Sequence, residues 1–152
     1  MSSVFRDNGT TIYDFHGTTL VRCPRCRRRA FAYGTAHDPS GRFVCEACGL
    51  AKYKKDVGPG VTITDGPYDP CFCLPVWLQT TCAGHKLWAY NLKHLEFLES
   101  YVSAKHRLRD RKLDGIGCER RLACLLPKWI TAAKSRREVL RALSELRRMA
   151  DA

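Results

Sequence analysis

The chain has 152 residues, with 26 Lys and Arg against 15 Asp and Glu, a formal charge of +11 and nine cysteines. That length suits one compact domain or a small metal-stapled module joined to a helical one, and no run approaches the roughly eighteen apolar residues of a membrane helix. The stretch Met1-Ser2-Ser3-Val4-Phe5-Arg6-Asp7 has no apolar segment like that of a secretory signal. The expected location is therefore cytoplasmic, where thiols stay reduced and paired cysteines favour metal over disulfide.

Residues 11–22, rich in β-branched and aromatic side chains with His16-Gly17 in the middle, predict a short hairpin whose second arm runs into Cys23. Arg29-Ala30-Phe31-Ala32-Tyr33 alternates with period two, and Asp38-Pro39-Ser40-Gly41 supplies a turn before Arg42-Phe43-Val44. Residues 56–70 are crowded with Gly and Pro around a short Val61-Thr62-Ile63-Thr64 strand, and form the join between two halves. Beyond it, 72–80 and 86–90 flank Cys82-Ala83-Gly84-His85 as a second hairpin, with Pro75 marking the first arm as an edge or bulged strand.

From Asn91, an N-cap residue, the period becomes helical: Leu92, Leu95, Leu98, Tyr101 and Val102 share one face of a helix expected to end near Arg111. A second helical stretch carries Leu122, Leu125, Leu126, Trp129, Ile130 and Ala133, broken at Pro127. Ser135-Arg136-Arg137-Glu138 reads as a capping box opening a last helix with Val139, Leu140, Leu143, Leu146 and Ala150 inward. The fold class is α+β: residues 1–58 form a β hairpin and a four-cysteine ribbon, and residues 59–152 a β hairpin with a three-helix part. The expected core is Leu20, Val21, Val44, Trp77, Leu78, Trp88, Leu95, Leu98, Trp129, Ile130, Leu140 and Leu143.

The sharpest chemical signal is Cys23-Pro24-Arg25-Cys26 and, eighteen residues on, Cys45-Glu46-Ala47-Cys48. Thiolates at i and i+3 on a tight turn converge on one ion, and two such turns supply the four tetrahedral ligands of zinc. Gly49 fits the positive φ of the second turn. Four thiolates leave no open coordination position, so the expected cofactor is one structural zinc without catalysis. An iron–thiolate centre uses similar turns. Four thiolates and one zinc together lower the formal charge to +9.

Residues 20–50 resemble a zinc ribbon of the kind found in general transcription factors, RNA polymerase subunits and replication helicases. The resemblance implies a metal-pinned sheet that docks on nucleic acid or protein, with Cys23, Cys26, Cys45 and Cys48 as ligands. From Pro59 onward the chain resembles small bacterial zinc-ribbon proteins. Ribbons are reused widely, so the motif is specific for metal and unspecific for function.

Positive charge concentrates in 23–60 and 91–152, which carry +5 and +7. Arg25, Arg27, Arg28 and Arg29 crowd the first turn, with Phe31 and Tyr33 beyond and Lys52, Lys54 and Lys55 after the second pair. Together they suit phosphate contacts with an aromatic stacking on a base, or else form a solvated rim while Phe31, Tyr33 and Phe43 fill a small core. On the last helix Arg137, Arg141 and Arg148 share a stripe, which suits a phosphate backbone or intrahelical pairing with Glu138 and Glu145.

A looser group, Cys71, Cys73, Cys82 and His85, has poor spacing for a second metal site and equally suits thiols packed beside Trp77 and Trp88. Cys118 and Cys124 read as unpartnered helix or core residues. Asp65, Asp69, His85 and His94 join no catalytic constellation, so no enzyme is expected. The function expected first is non-enzymatic nucleic-acid binding in a transcription or replication context. A protein-interaction adaptor built on the aromatic hairpin Phe72 to Tyr90 comes second, and a metal-dependent hydrolase or nuclease third. Neither a membrane nor a small-molecule substrate is expected as a partner.

Overall fold

The computed structural model describes residues 4–35, 39–57, 66–109 and 121–151. Strand β1 (Val4–Asp7) leads through a 3-10 turn (Ile12–Phe15) to a four-stranded antiparallel sheet ordered β2 (Gly17–Arg22), β3 (Arg29–Gly34), β4 (Arg42–Val44) and β5 (Ala51–Tyr53). One short helical turn, α1 (Lys54–Val57), precedes the hairpin of β6 (Leu78–Cys82) and β7 (His85–Ala89). Helix α2 (Leu92–Ser103), strand β8 (His106–Arg109), single turns α3 (Leu122–Leu125) and α4 (Lys128–Thr131) and the long α5 (Arg136–Ala150) complete an α+β fold.

Two apolar cores organise these elements. In the larger, Leu95, Leu98 and Val102 of α2 and Val139, Leu143 and Leu146 of α5 close over Leu78 and Leu87 of the hairpin. The smaller holds Val21, Ala30, Ala32 and Phe43 with Cys23 and Cys45. Strand β2 serves both, because successive side chains point to opposite faces: Leu20 enters the large core and Val21 the small one. The Trp77 indole N–H and the Arg29 guanidinium donate to the carbonyls of Met149 and Ala150. They satisfy acceptors that the end of α5 leaves without helical partners.

Ala83 and Gly84, both with positive φ, close the β6–β7 hairpin where the sequence placed its turn. Asn91 caps α2 by accepting the His94 N–H at 2.9 Å, and its amide donates to the carbonyls of Phe15 and Thr18. That cap ties the helix to the ribbon's approach strand.

Several local expectations fail for tertiary reasons. No hairpin forms over 11–22. The Asp14 carboxylate accepts the Thr11 N–H at 2.8 Å, winding Ile12–Phe15 into a 3-10 turn that buries Phe15 against His94. Helix α2 stops at Ser103 because the chain extends at Ala104 and β8 pairs in parallel with β1, which sets Phe5 beneath Phe97 and Tyr101. Pro127 divides the second helical stretch into the single turns α3 and α4. Ser135 makes no side-chain cap, since the 3-10 turn Ala133–Ser135 runs straight into α5. The first arm of the second hairpin starts at Leu78. Before it, Val76 bridges Val21, and the Pro75 carbonyl accepts the Arg22 N–H.

Of the expected core, Val44, Trp77, Trp88, Trp129 and Leu140 are half-buried; Leu92, expected on the apolar face of α2, is exposed. The strand read over Val61-Thr62-Ile63-Thr64 lies outside the described residues.

Candidate metal centre

Each cysteine pair sits on a turn of the same design. The Cys23 N–H donates to the Arg28 carbonyl and the Arg27 N–H to the Cys23 carbonyl; the Cys45 N–H donates to Leu50 and the Gly49 N–H to Cys45. Both turns need a left-handed residue just after their second cysteine: Gly49 at φ 79° and, less comfortably, Arg27 at φ 63°. Strands β3 and β4 bring the two turns together.

The four sulfurs lie within 4.8 Å of one another, with Cys23 Sγ to Cys48 Sγ at 3.7 Å and Cys26 Sγ to Cys45 Sγ at 3.5 Å. A tetrahedron of zinc–sulfur bonds has edges of roughly 3.8 Å, so the cluster has the dimensions to hold one metal ion such as zinc. The Arg25 N–H points at Cys23 Sγ from 3.4 Å, as amides around thiolate centres do.

Without a cation these thiols cannot all ionise. Burial pushes Cys23 up, but the amides of Cys26 and Arg25 and the neighbouring sulfurs outweigh it and bring Cys23 down to about 7. For Cys48 the Leu50 amide favours the thiolate, yet burial and the three facing sulfurs raise it to about 11. A divalent ion replaces the shared protons and removes the conflict. This is the one group of three or more metal-ligating side chains among the described residues.

Cys71, Cys73, Cys82 and His85 do not assemble. Cys82 and His85 are paired at the end of the β6–β7 hairpin, and Cys71 and Cys73 belong to a separate loop centred on Asp69. Cys124, read from the sequence as an unpartnered thiol, is exposed and disulfide-bonded, and Cys118 lies outside the described residues. The buried Asp69 carboxylate accepts the N–H groups of Cys71, Phe72 and Leu74. Burial raises its pKa against those amides and against Lys54, and the geometry is that of a turn former.

His94 is buried with Nδ1 accepting the Tyr90 N–H at 3.0 Å and its ring stacked on Phe15. Burial, and secondarily the charge of His16, hold it down at about 3. His85 is exposed and stacked on Trp129. Asp65 lies outside the described residues.

The basic residues divide by role. Arg29 is bound to the end of α5, Lys54 donates to the Cys71 carbonyl, and Lys52 pairs with Phe43 on the far face of the sheet. Arg25, Arg27, Arg28 and Lys55 are exposed. On α5, Glu138 and Glu145 form no ion pair with the arginines among the described residues. Glu145 instead accepts the Thr80 hydroxyl, and Arg147 reaches across to Glu99 of α2, leaving Arg137, Arg141 and Arg148 exposed.

Phe31 and Tyr33 lie on the opposite face of the sheet from the buried Phe43, so they do not fill the small core. The register adds two residues to that face which the sequence reading missed: Arg42 opposite Tyr33, and Tyr53 opposite Arg42. The alternation of Arg42-Phe43-Val44 about an inward Phe43 could have placed Arg42 on that face, whereas Tyr53 depends on the register of β5 with β4.

No helix among the described residues is long and apolar enough to cross a membrane. Comparison with protein-family models, with curated proteins and with solved structures finds no match to this chain.

Proposed function

We propose that this is a non-enzymatic nucleic-acid-binding protein whose ribbon is held by one structural zinc, acting in a transcription or replication setting. The observation that carries the reading is uncompensated charge. Arg121 pairs with Asp7 inside the fold and Arg147 with Glu99 at its surface, whereas Arg25, Arg27, Arg28, Arg137, Arg141 and Arg148 are exposed and have no ion pair among the described residues. Exposed guanidinium groups of that kind neutralise phosphates and release counterions. A closed four-thiolate shell offers no position for water or substrate, which supports a structural role for the metal.

The test is binding of the zinc-loaded chain to duplex and single-stranded nucleic acids across a salt series. Affinity should fall steeply with salt; no binding to any of them at low salt disposes of the reading.

A second reading, a protein-interaction adaptor, draws support from an apolar cavity of about 380 Å³ between Trp88, Trp129, Leu122 and Leu126, with exposed Leu125 at its margin. Aromatic-lined cavities of this kind anchor interfaces. A stoichiometric protein complex that survives nuclease and high salt would favour it over the first.

A further inference from the structure

The solvent face of the four-stranded sheet carries an unusual set of side chains. In register across three strands stand Tyr33, Arg42 and Tyr53, and one and two steps along β3 stand Phe31 and Arg29. The Phe31 and Tyr33 rings are nearly parallel, 14° apart with centroids at 6.2 Å. The Arg42 guanidinium lies 4.7 Å from the Tyr33 centroid, Arg29 lies 5.9 Å from Phe31, and the Lys55 ammonium lies 5.7 Å from Tyr53. Tyr53 is 51% exposed. The opposite face, with Thr19, Ala32 and Phe43, is buried in the small core. Leu20 and Phe31 on this side meet the large core; the remaining positions in register, Thr18, Arg22, Val44 and Ala51, include no acid.

We propose that this face binds single-stranded nucleic acid, with bases stacking on Tyr33 and Tyr53 while Arg42 and Lys55 meet the phosphates and Arg29 stays bound to the end of α5; the proposal rests on the nucleic-acid reading above and specifies its substrate class. Rings standing on a sheet can take only bases whose faces are free. A duplex hides those faces within its own stack and presents phosphates and groove edges instead. The cations already lying over the rings place positive charge where a backbone passes the stacked bases. Phe31 is half-buried against the large core and serves to fix the tilt of Tyr33.

The experiment is fluorescence anisotropy of the zinc-loaded full chain against labelled oligothymidylate and oligouridylate of about 16 nucleotides and a mixed-sequence duplex of the same length. Either single strand should bind at least about 10-fold tighter than the duplex, and the thymidylate and uridylate arms tell DNA from RNA. Tyr53→Ala should weaken single-strand binding about 5- to 100-fold, the range of one lost base–aromatic stack, and leave duplex binding within about twofold. Tyr53→Phe should retain affinity.

A duplex bound as tightly as the single strands overturns the proposal, as does a Tyr53→Ala variant with unchanged single-strand affinity. In both cases salt-sensitive binding would keep the broader reading alive. Absence of binding to every probe removes both.

Discussion

Where α2 and α5 meet the β6–β7 hairpin, leucines and valines from four elements bury one another, whereas among the described residues the ribbon fully buries Val21, Ala30, Ala32 and Phe43 beside two of its cysteines, with Leu50, Phe72 and Leu74 half-buried around them. The larger core is stabilised by removing apolar surface from water. The smaller one has too little such surface to hold three short strands in place, and its sulfur cluster stands where more side chains would otherwise be needed. The difference also shapes the surfaces. A sheet pinned by metal need not cover all of its second face, so beyond Leu20 and Phe31, which meet the large core, Tyr33, Arg42 and Tyr53 can remain open to a ligand.

Metal removal should break this comparison most strongly, because structural zinc in such sites contributes on the order of 10 kcal/mol. Chelation, or Cys45→Ser, is expected to strip amide-exchange protection from β3, β4 and β5 while α5 stays protected. Simultaneous loss of protection in α5 would mean that β2, shared by both cores, makes them one cooperative unit. No change in the strands would mean that the four thiols do not hold a stabilising ion.

Acid should act on the other region. His94, packed among Phe15, Trp88 and Tyr90, has a folded pKa of about 3 against 6.5 for the exposed ring. The unfolded chain therefore takes up a proton that the folded one refuses. The stability this provides is fully present above pH 6.5 and is lost as pH falls toward 3, on the order of 5 kcal/mol in all. Denaturant unfolding followed by the helical signal should show that slope, and His94→Asn, whose Oδ1 stands where Nδ1 accepts the Tyr90 N–H, should flatten it. An unchanged slope in the variant would assign the acid sensitivity to other groups.

The parts legible in the sequence are those fixed by local chemistry. Both cysteine turns, the Ala83-Gly84 reversal, the Asn91 cap and the break at Pro127 each depend on a residue and its near neighbours. What escaped depends on distant partners. Nothing near Val4 or His106 announces a parallel pair, since that pairing is decided by Phe5 finding Phe97 and Tyr101 a hundred residues away. Likewise Phe31, Tyr33 and Phe43 look alike as letters, and only the register across β3 and β4 sends Phe43 inward and the other two outward. The Arg-rich run at the first turn was visible, but not that Arg29 is spent on the end of α5 while its neighbours are left free.

Arg27 offers the finest separation of structure from function. It occupies the position held in the second turn by Gly49, with the same left-handed backbone, and a non-glycine residue there costs about 1 kcal/mol. Glycine relieves that strain but adds freedom to the unfolded chain, so Arg27→Gly should leave the metal-loaded ribbon within about 0.5 kcal/mol of the parent or slightly more stable. Its binding should nevertheless weaken on every nucleic-acid sequence alike, and the slope of log affinity against log salt should fall by about one. Those two results together would mean that the strain is tolerated for the charge. A destabilised ribbon with an unchanged salt slope would instead make Arg27 part of the turn, and would shift the phosphate contacts to Arg25 and Arg28.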